Sequence, residues 1–289
     1  MDVKTIGVIG AGTMGRGIAY VSALGGYETV LEDVRPQVLE EAMAWMRKAF
    51  EQGVERGKVS AEAAAQAIAR VRTVGRVEEA ADVDLVIEAA PEEMELKIEL
   101  FGMFDKFTRA ETILATNTSS LSISEMAAVT QRPERCVGMH FFNPVQKMRL
   151  IELVRAAGTS EETLAACREV GRRMGKEMVT VRESPGFITS RVNALIGNEA
   201  FTMLEAGIAS AEDIDKALKL GLNHPMGPFE LVDLVGLDVR LSILEYLHKT
   251  LGEKYRPSPL LRQYVKEGRL GRKVGRGVYD YRKEKKAEA

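Results

Sequence analysis

Cysteine and histidine are scarce in this chain. The two cysteines, Cys136 and Cys167, cannot build a multi-bridge framework across 289 residues, so a reduced, cytoplasmic setting is expected. The three histidines are His140, His224 and His248, and none has a Cys or His neighbour at metal-ligand spacing; no metal site is expected. No apolar run reaches the length of a membrane span, and the first residues, Met1 to Thr5, lead straight into a strand-like run without the charged-then-apolar layout of a signal peptide. Excess charge of one sign is also missing. A formal net charge of −2 creates no global field that would draw in nucleic acid. What remains is the composition of a soluble protein, with apolar residues at 45%, enough at this length for the cores of one large or two ordinary domains.

The first half alternates short apolar runs with amphipathic stretches. Strands are predicted at 5–9, 28–31, 85–88, 113–116, 137–141, 150–154 and 178–181, and helices at 12–24, 36–56, 61–69, 92–108 and 161–174. This βαβ rhythm argues for an α/β, Rossmann-like doubly wound sheet over residues 1–184. The pattern changes at Ser184-Pro185-Gly186. Residues 188–204, 211–220 and 228–249 carry helical periodicity, which predicts an all-α C-terminal domain over 185–289 with a frayed polar tail from Arg282.

Gly10-Ala11-Gly12-Thr13-Met14-Gly15 fits GxGxxG. Three glycines alone describe many flexible loops, but here an apolar strand precedes them and a helix follows. The glycines permit a tight turn, let backbone approach a pyrophosphate and let helix pack on sheet, while the helix N-terminus offers free N–H groups. Asp33 closes the second strand region. A carboxylate there accepts hydrogen bonds from the adenosine ribose and repels a 2′-phosphate, which points to NAD(H) rather than NADP(H), although Arg35 nearby weakens that exclusion.

His140 stands near the end of an apolar strand, in His140-Phe141-Phe142-Asn143-Pro144. A lone histidine in such a place is ordinarily a hydrogen-bonded structural residue. Glu152, inside Leu150-Ile151-Glu152-Leu153-Val154, changes the balance. A carboxylate among aliphatic residues is costly unless it faces water or finds a partner. Paired with His140 it would orient the imidazole as a general base for a substrate hydroxyl, and a carbinol that loses a hydride must also lose that proton. Asn117-Thr118-Ser119-Ser120 follows a strand, where doubly wound sheets bind ligands. Ser119 is there either a substrate-oxygen donor or a plain turn residue.

These segments together resemble the 3-hydroxyacyl-CoA dehydrogenase family, in particular its short bacterial 3-hydroxybutyryl-CoA members. The resemblance spans essentially the whole chain and also includes Ile87 to Glu92, Ser184 to Ile188, Asn223 to Pro228 and Gly275 to Tyr281. It implies NAD-dependent oxidation of an (S)-3-hydroxyacyl-CoA to the 3-ketoacyl-CoA, or the reverse, with His140 as acid/base oriented by Glu152. It further implies that Ser119 binds the substrate oxygen and that Asn143 lies near nicotinamide and substrate. Glu92, Lys97 and Asn117 are then expected beside the cofactor. Lys48, Arg56 and Lys58 are candidates for the CoA phosphates, although a solvated helix face explains them equally well. The family also pairs its subunits through the helical domain, so a homodimer is expected.

One departure stands out. Gly186-Phe187-Ile188-Thr189-Ser190-Arg191 carries Ser190 where the family usually has a substrate-contacting Asn; a hydroxyl reaches less far, and a water can fill the gap. Two other readings stay open: a dehydrogenase of the same fold acting on a non-CoA hydroxy acid such as gulonate or on carnitine, and a non-enzymatic dinucleotide-binding protein. A pure binder has no use for a buried acid/base pair.

Overall fold

Short strands that are apolar on both faces belong in the middle of a helix-covered parallel sheet. In the computed structural model, which describes residues 1–282, the sequence runs β1 (Thr5–Ile9), α1 (Thr13–Leu24), β2 (Glu28–Glu32), α2 (Pro36–Glu55), α3 (Ala61–Ala69), β3 (Val71–Val74), β4 (Leu85–Glu88), α4 (Met94–Phe107), β5 (Ile113–Thr116), α5 (Ile123–Ala127), β6 (Cys136–Phe141), β7 (Leu150–Arg155), α6 (Glu161–Arg173) and β8 (Glu177–Arg182). The strands form one eight-stranded sheet in the order β3-β2-β1-β4-β5-β6-β7-β8. β1 to β6 are mutually parallel; β7 pairs antiparallel with β6 and parallel with β8. Ile6 and Val8 face one apolar layer with Ile18, Met46 and Leu164, whereas Ile9, Val86 and Leu114 face a second with Phe101 and Phe104. Strand order reverses between β1 and β4, which opens a ligand crevice beyond their carboxyl ends.

β3 has no counterpart in the predicted strands. It has only four residues, with Arg72 and Thr73 exposed, and a half-solvated edge strand carries little apolar signal.

This first unit ends at Ser184 and a second begins at Pro185. Its helices are α7 (Thr189–Glu205), α8 (Ala211–Gly221), α9 (Pro228–Val235), α10 (Leu237–Leu251) and α11 (Pro259–Lys266), around Phe201, Phe229, Leu244, Leu247 and Leu261. The single helix predicted over 228–249 is in fact two. Gly236, at φ 111°, breaks it, and a Cβ there would meet Asp238 Oδ1 at 2.8 Å. α11 is also absent from the sequence pattern. Its N-terminus is set by Ser258, which accepts from Leu260 N at 3.2 Å.

Two buried aspartates tie down the C-terminal segment. Asp233 accepts from Val278 N, Tyr279 N and the Tyr281 hydroxyl at 2.8, 2.9 and 3.0 Å. Asp215 accepts from the Tyr279 hydroxyl at 2.8 Å and from Phe229 N and Glu230 N in the first turn of α9. Of the tail expected to fray, all but Arg282 lies outside the described residues.

Candidate active site

The glycine loop joins β1 to α1. Gly10 is at φ 95°, and a Cβ on it would lie 2.8 Å from the Ala89 carbonyl oxygen. A Cβ on Gly15 would overlap the Gly10 carbonyl oxygen, whereas one on Gly12 would meet open space. Two glycines are therefore needed for internal packing, and the third leaves room for a ligand to approach. Gly12 caps α1 without a side-chain acceptor, so Thr13 and Met14 begin a helix whose N-terminal N–H groups face that room. Asp33 follows β2 directly. Its Oδ2 accepts from Ala11 N at 3.0 Å, leaving that oxygen a further lone pair, while its Oδ1 accepts from Arg35 N at 3.0 Å and from Arg35 Nε at 3.4 Å. These residues fit a dinucleotide: N–H donors for the pyrophosphate and a carboxylate for the ribose.

Beside it, Glu32 is buried and its Oε1 has no hydrogen-bond partner. Burial, then the neighbouring Asp33 charge, push its carboxyl up to about 7. A raised carboxyl pKa means that the folded chain keeps this proton longer than the unfolded chain. The cost of the bare carboxylate thus grows as pH rises above the ordinary carboxylate range and is fully present above about 7. Glu32→Gln should accordingly match the wild type in stability only below the ordinary carboxylate range, near pH 4, and exceed it near pH 8 by on the order of 3 kcal/mol. Thermal melts at both pH values test this; an equal gap at the two would mean that Glu32 ionises normally.

A second buried network lies at the carboxyl ends of β4 and β5. Lys97, only 1% exposed, donates to Glu88 Oε1 at 2.6 Å. Glu88 also accepts from Ala90 N and from the Thr116 hydroxyl at 2.7 and 2.5 Å. Burial raises the Glu88 pKa, and the Lys97 charge opposes that rise. Glu92 lies 3.4 Å from the Lys97 ammonium and accepts from the Thr118 hydroxyl and from Ser119 N at 2.6 and 2.9 Å. The network thus holds the loop that carries Ser119. Asn117 bonds across to the next strand, its Oδ1 accepting from Phe141 N at 3.0 Å.

Register explains the third feature. Across the antiparallel β6–β7 ladder, His140 stands directly opposite Glu152. Both are buried, and His140 Nδ1 lies 2.8 Å from Glu152 Oε2. A carboxylate only accepts, so Nδ1 is the donor of this bond. The imidazole also leans on Phe142, with ring centroids 4.5 Å apart. Asn143 and Pro144 follow on the exposed part of the loop.

The first unit therefore brings Gly10 to Gly15, Asp33, Glu92, Lys97, Asn117, Ser119, His140, Asn143 and Glu152 to the carboxyl ends of parallel strands or their partner. Lys48, Arg56 and Lys58 are exposed on α2 and just past it. Ser190 lies in the first turn of α7 in the second unit. Glu88 is the member that the sequence does not single out, although a carboxylate ending Leu85-Val86-Ile87 carries the same signal as Glu152. Among the described residues, no group of three His, Cys, Asp or Glu side chains forms a metal cluster, and no helix is long and apolar enough to cross a membrane.

The 3-hydroxyacyl-CoA dehydrogenase NAD binding domain model matches residues 5–184, and the C-terminal domain model of the same family matches residues 186–281. A probable 3-hydroxybutyryl-CoA dehydrogenase of Bacillus subtilis is 47% identical over 97% of this chain and 98% of its own length. A 3-hydroxybutyryl-CoA dehydrogenase of Bradyrhizobium diazoefficiens is 45% identical, covering 97% and 96%. The crystal structure of (S)-3-hydroxybutyryl-CoA dehydrogenase from Ralstonia eutropha superposes with a TM-score of 0.93 at 42% identity, covering 97% of this chain and 99% of that one. Both units are thus accounted for by one architecture, and the chain belongs to the 3-hydroxyacyl-CoA dehydrogenases, NAD-dependent oxidoreductases that act on a CH–OH group.

Proposed function

We propose that the chain converts (S)-3-hydroxyacyl-CoA to 3-ketoacyl-CoA, or runs the reverse reduction, on a short acyl chain such as 3-hydroxybutyryl. The observation that carries this reading is the buried pairing of His140 Nδ1 with Glu152 at 2.8 Å, at the carboxyl end of β6 beside the Ser119 loop. In oxidation, His140 Nε2 takes the substrate hydroxyl proton; in reduction it returns it. Glu152 holds the ring and stabilises the imidazolium that forms. Ser119 donates to the substrate oxygen, and Asn143 stands against substrate and cofactor. NAD, when bound, supplies the two-electron acceptor. Gly10, Gly12, Thr13, Met14, Gly15 and Asp33 hold it, with Glu92, Lys97 and Asn117 shaping the adjoining wall. Lys48, Arg56 and Lys58 meet the CoA phosphates, and Ser190 meets the acyl part.

The test is steady-state kinetics with acetoacetyl-CoA and longer 3-ketoacyl-CoA substrates, each with NADH and NADPH, beside gulonate and carnitine with NAD. Turnover of acetoacetyl-CoA with NADH preferred is the expected result. Turnover of gulonate or carnitine alone would overturn the substrate, and no turnover at all would leave a binding protein.

A homodimer through the helical unit belongs to the same proposal. Val192, Ile208, Leu220, Leu222 and Leu234 are large, apolar and exposed there, more than a lone helical layer leaves open. Sedimentation at micromolar concentration should return the dimer mass; a monomer mass would refute it. Both cysteines are free and buried, in keeping with a reduced compartment such as the cytoplasm.

A further inference from the structure

We propose that Lys176 is a positioning residue for the reaction: it fixes the loop that carries Asn143. The proposal rests on the reading above, in which Asn143 touches substrate and cofactor.

Asn143 cannot place itself. It is exposed, and no hydrogen bond from its side chain to another described residue holds it. Its position must come from the backbone on either side. Upstream, Phe141 N is held by Asn117 Oδ1 at 3.0 Å. Downstream, Lys147 N and Met148 N both turn back to the Pro144 carbonyl at 2.9 and 3.0 Å, which makes residues 144–148 a tight unit. Val145, buried in that unit, lies against α1: a Cβ on Gly17 would stand 2.8 Å from the Val145 Cβ.

Lys176 closes this arrangement from below. Its ammonium donates to the Val145 carbonyl and, at 2.7 Å, to the Met148 carbonyl. Its own backbone is fixed by the end of α6, where Gly175 at φ 72° lets Gly175 N bond to Arg172 O and Lys176 N to Gly171 O. No carboxylate pairs with this ammonium among the described residues, and burial pushes its pKa down to about 8. A lysine used only for solubility would reach into water. This one is held half-buried, without a counter-charge, and its bonds go to the loop.

Lys176→Met keeps the alkyl stem and removes the donors. Measured well below the melting temperature of each variant, kcat should fall roughly 10- to 100-fold, the usual cost of a reacting group displaced by about an ångström, while the NADH Kd from fluorescence titration changes far less. The deciding readout is a double-mutant cycle with Asn143→Ala. If Lys176 acts through Asn143, Lys176→Met should cost almost nothing in the Asn143→Ala background. Full wild-type kcat in Lys176→Met, or the same fold-loss in both backgrounds, would overturn the proposal. Should Lys176→Met not fold, Lys176→Arg retains the donors at a different reach and is put through the same cycle, with the same additive outcome counting against it. Unimpaired Asn143→Ala would instead sink the role assigned to Asn143, a result separable from failure at Lys176.

Discussion

His140→Ala is expected to lower kcat by roughly 10²–10⁴-fold, the span removed when a general acid–base group is lost, while NADH binding survives. The effect lands on kcat because proton transfer belongs to the transition state and not to the resting complex. Alanine also leaves Glu152, fully buried at 0% exposure, without the imidazole that faces it. Losing that partner inside the sheet is unfavourable for a buried carboxylate, so the variant should also melt below the wild type. Kinetics at low temperature separate the two losses. If kcat stayed within about tenfold of the wild type, outside that span, His140 would be no more than a satisfied strand histidine.

Glu152→Gln should cost nearly as much activity with far less loss of stability. The amide keeps the shape and can still accept from Nδ1, but it carries no charge to stabilise the imidazolium. It can also present its NH₂ and favour the opposite tautomer, with Nε2 protonated and useless as a base. Replacing the carboxylate behind a catalytic histidine costs up to about 10⁴-fold in other enzymes; here a loss of about 10²-fold or more is expected. NADH Kd, measured in parallel, should not move. Full activity in Glu152→Gln would return Glu152 to a purely structural role.

Much of this architecture is legible in the sequence because each element answers to a local rule. The apolar runs at Thr5–Ile9, Leu85–Glu88 and Ile113–Thr116 are buried on both faces, so their pattern is loud. Glu152 is legible as a residue in need of water or a partner, since a carboxylate between Ile151 and Leu153 is costly without one. Glu88 follows the same logic and escapes it. It ends its strand, where water is the ready alternative, and its partner Lys97 lies within a helix, where lysines are ordinarily solvated. β3 is quiet because it is short and half wet, and the break at Gly236 because an isolated glycine in a helical pattern is usually tolerated. Lys176 has no signature at all. Its partners are carbonyl oxygens, which every residue possesses, so only the folded backbone says where its donors go.

The clamp on residues 278–281 has a consequence for how the protein comes off the ribosome. Translation delivers the first unit complete at Ser184, and its sheet can close while the remainder is still being made. The helical unit has no such freedom. Asp215 and Asp233 are buried in the finished fold, yet most of the groups that satisfy Asp233, and the Tyr279 hydroxyl that completes Asp215, come from residues 278–281, after all the helices. Until then Asp215 has only the two N–H groups of α9, and Asp233 lacks Val278 N, Tyr279 N and the Tyr281 hydroxyl. The helical unit is therefore satisfied only when residues 278–281 are in place, so a chain cut before Val278 should lose stability in this unit first.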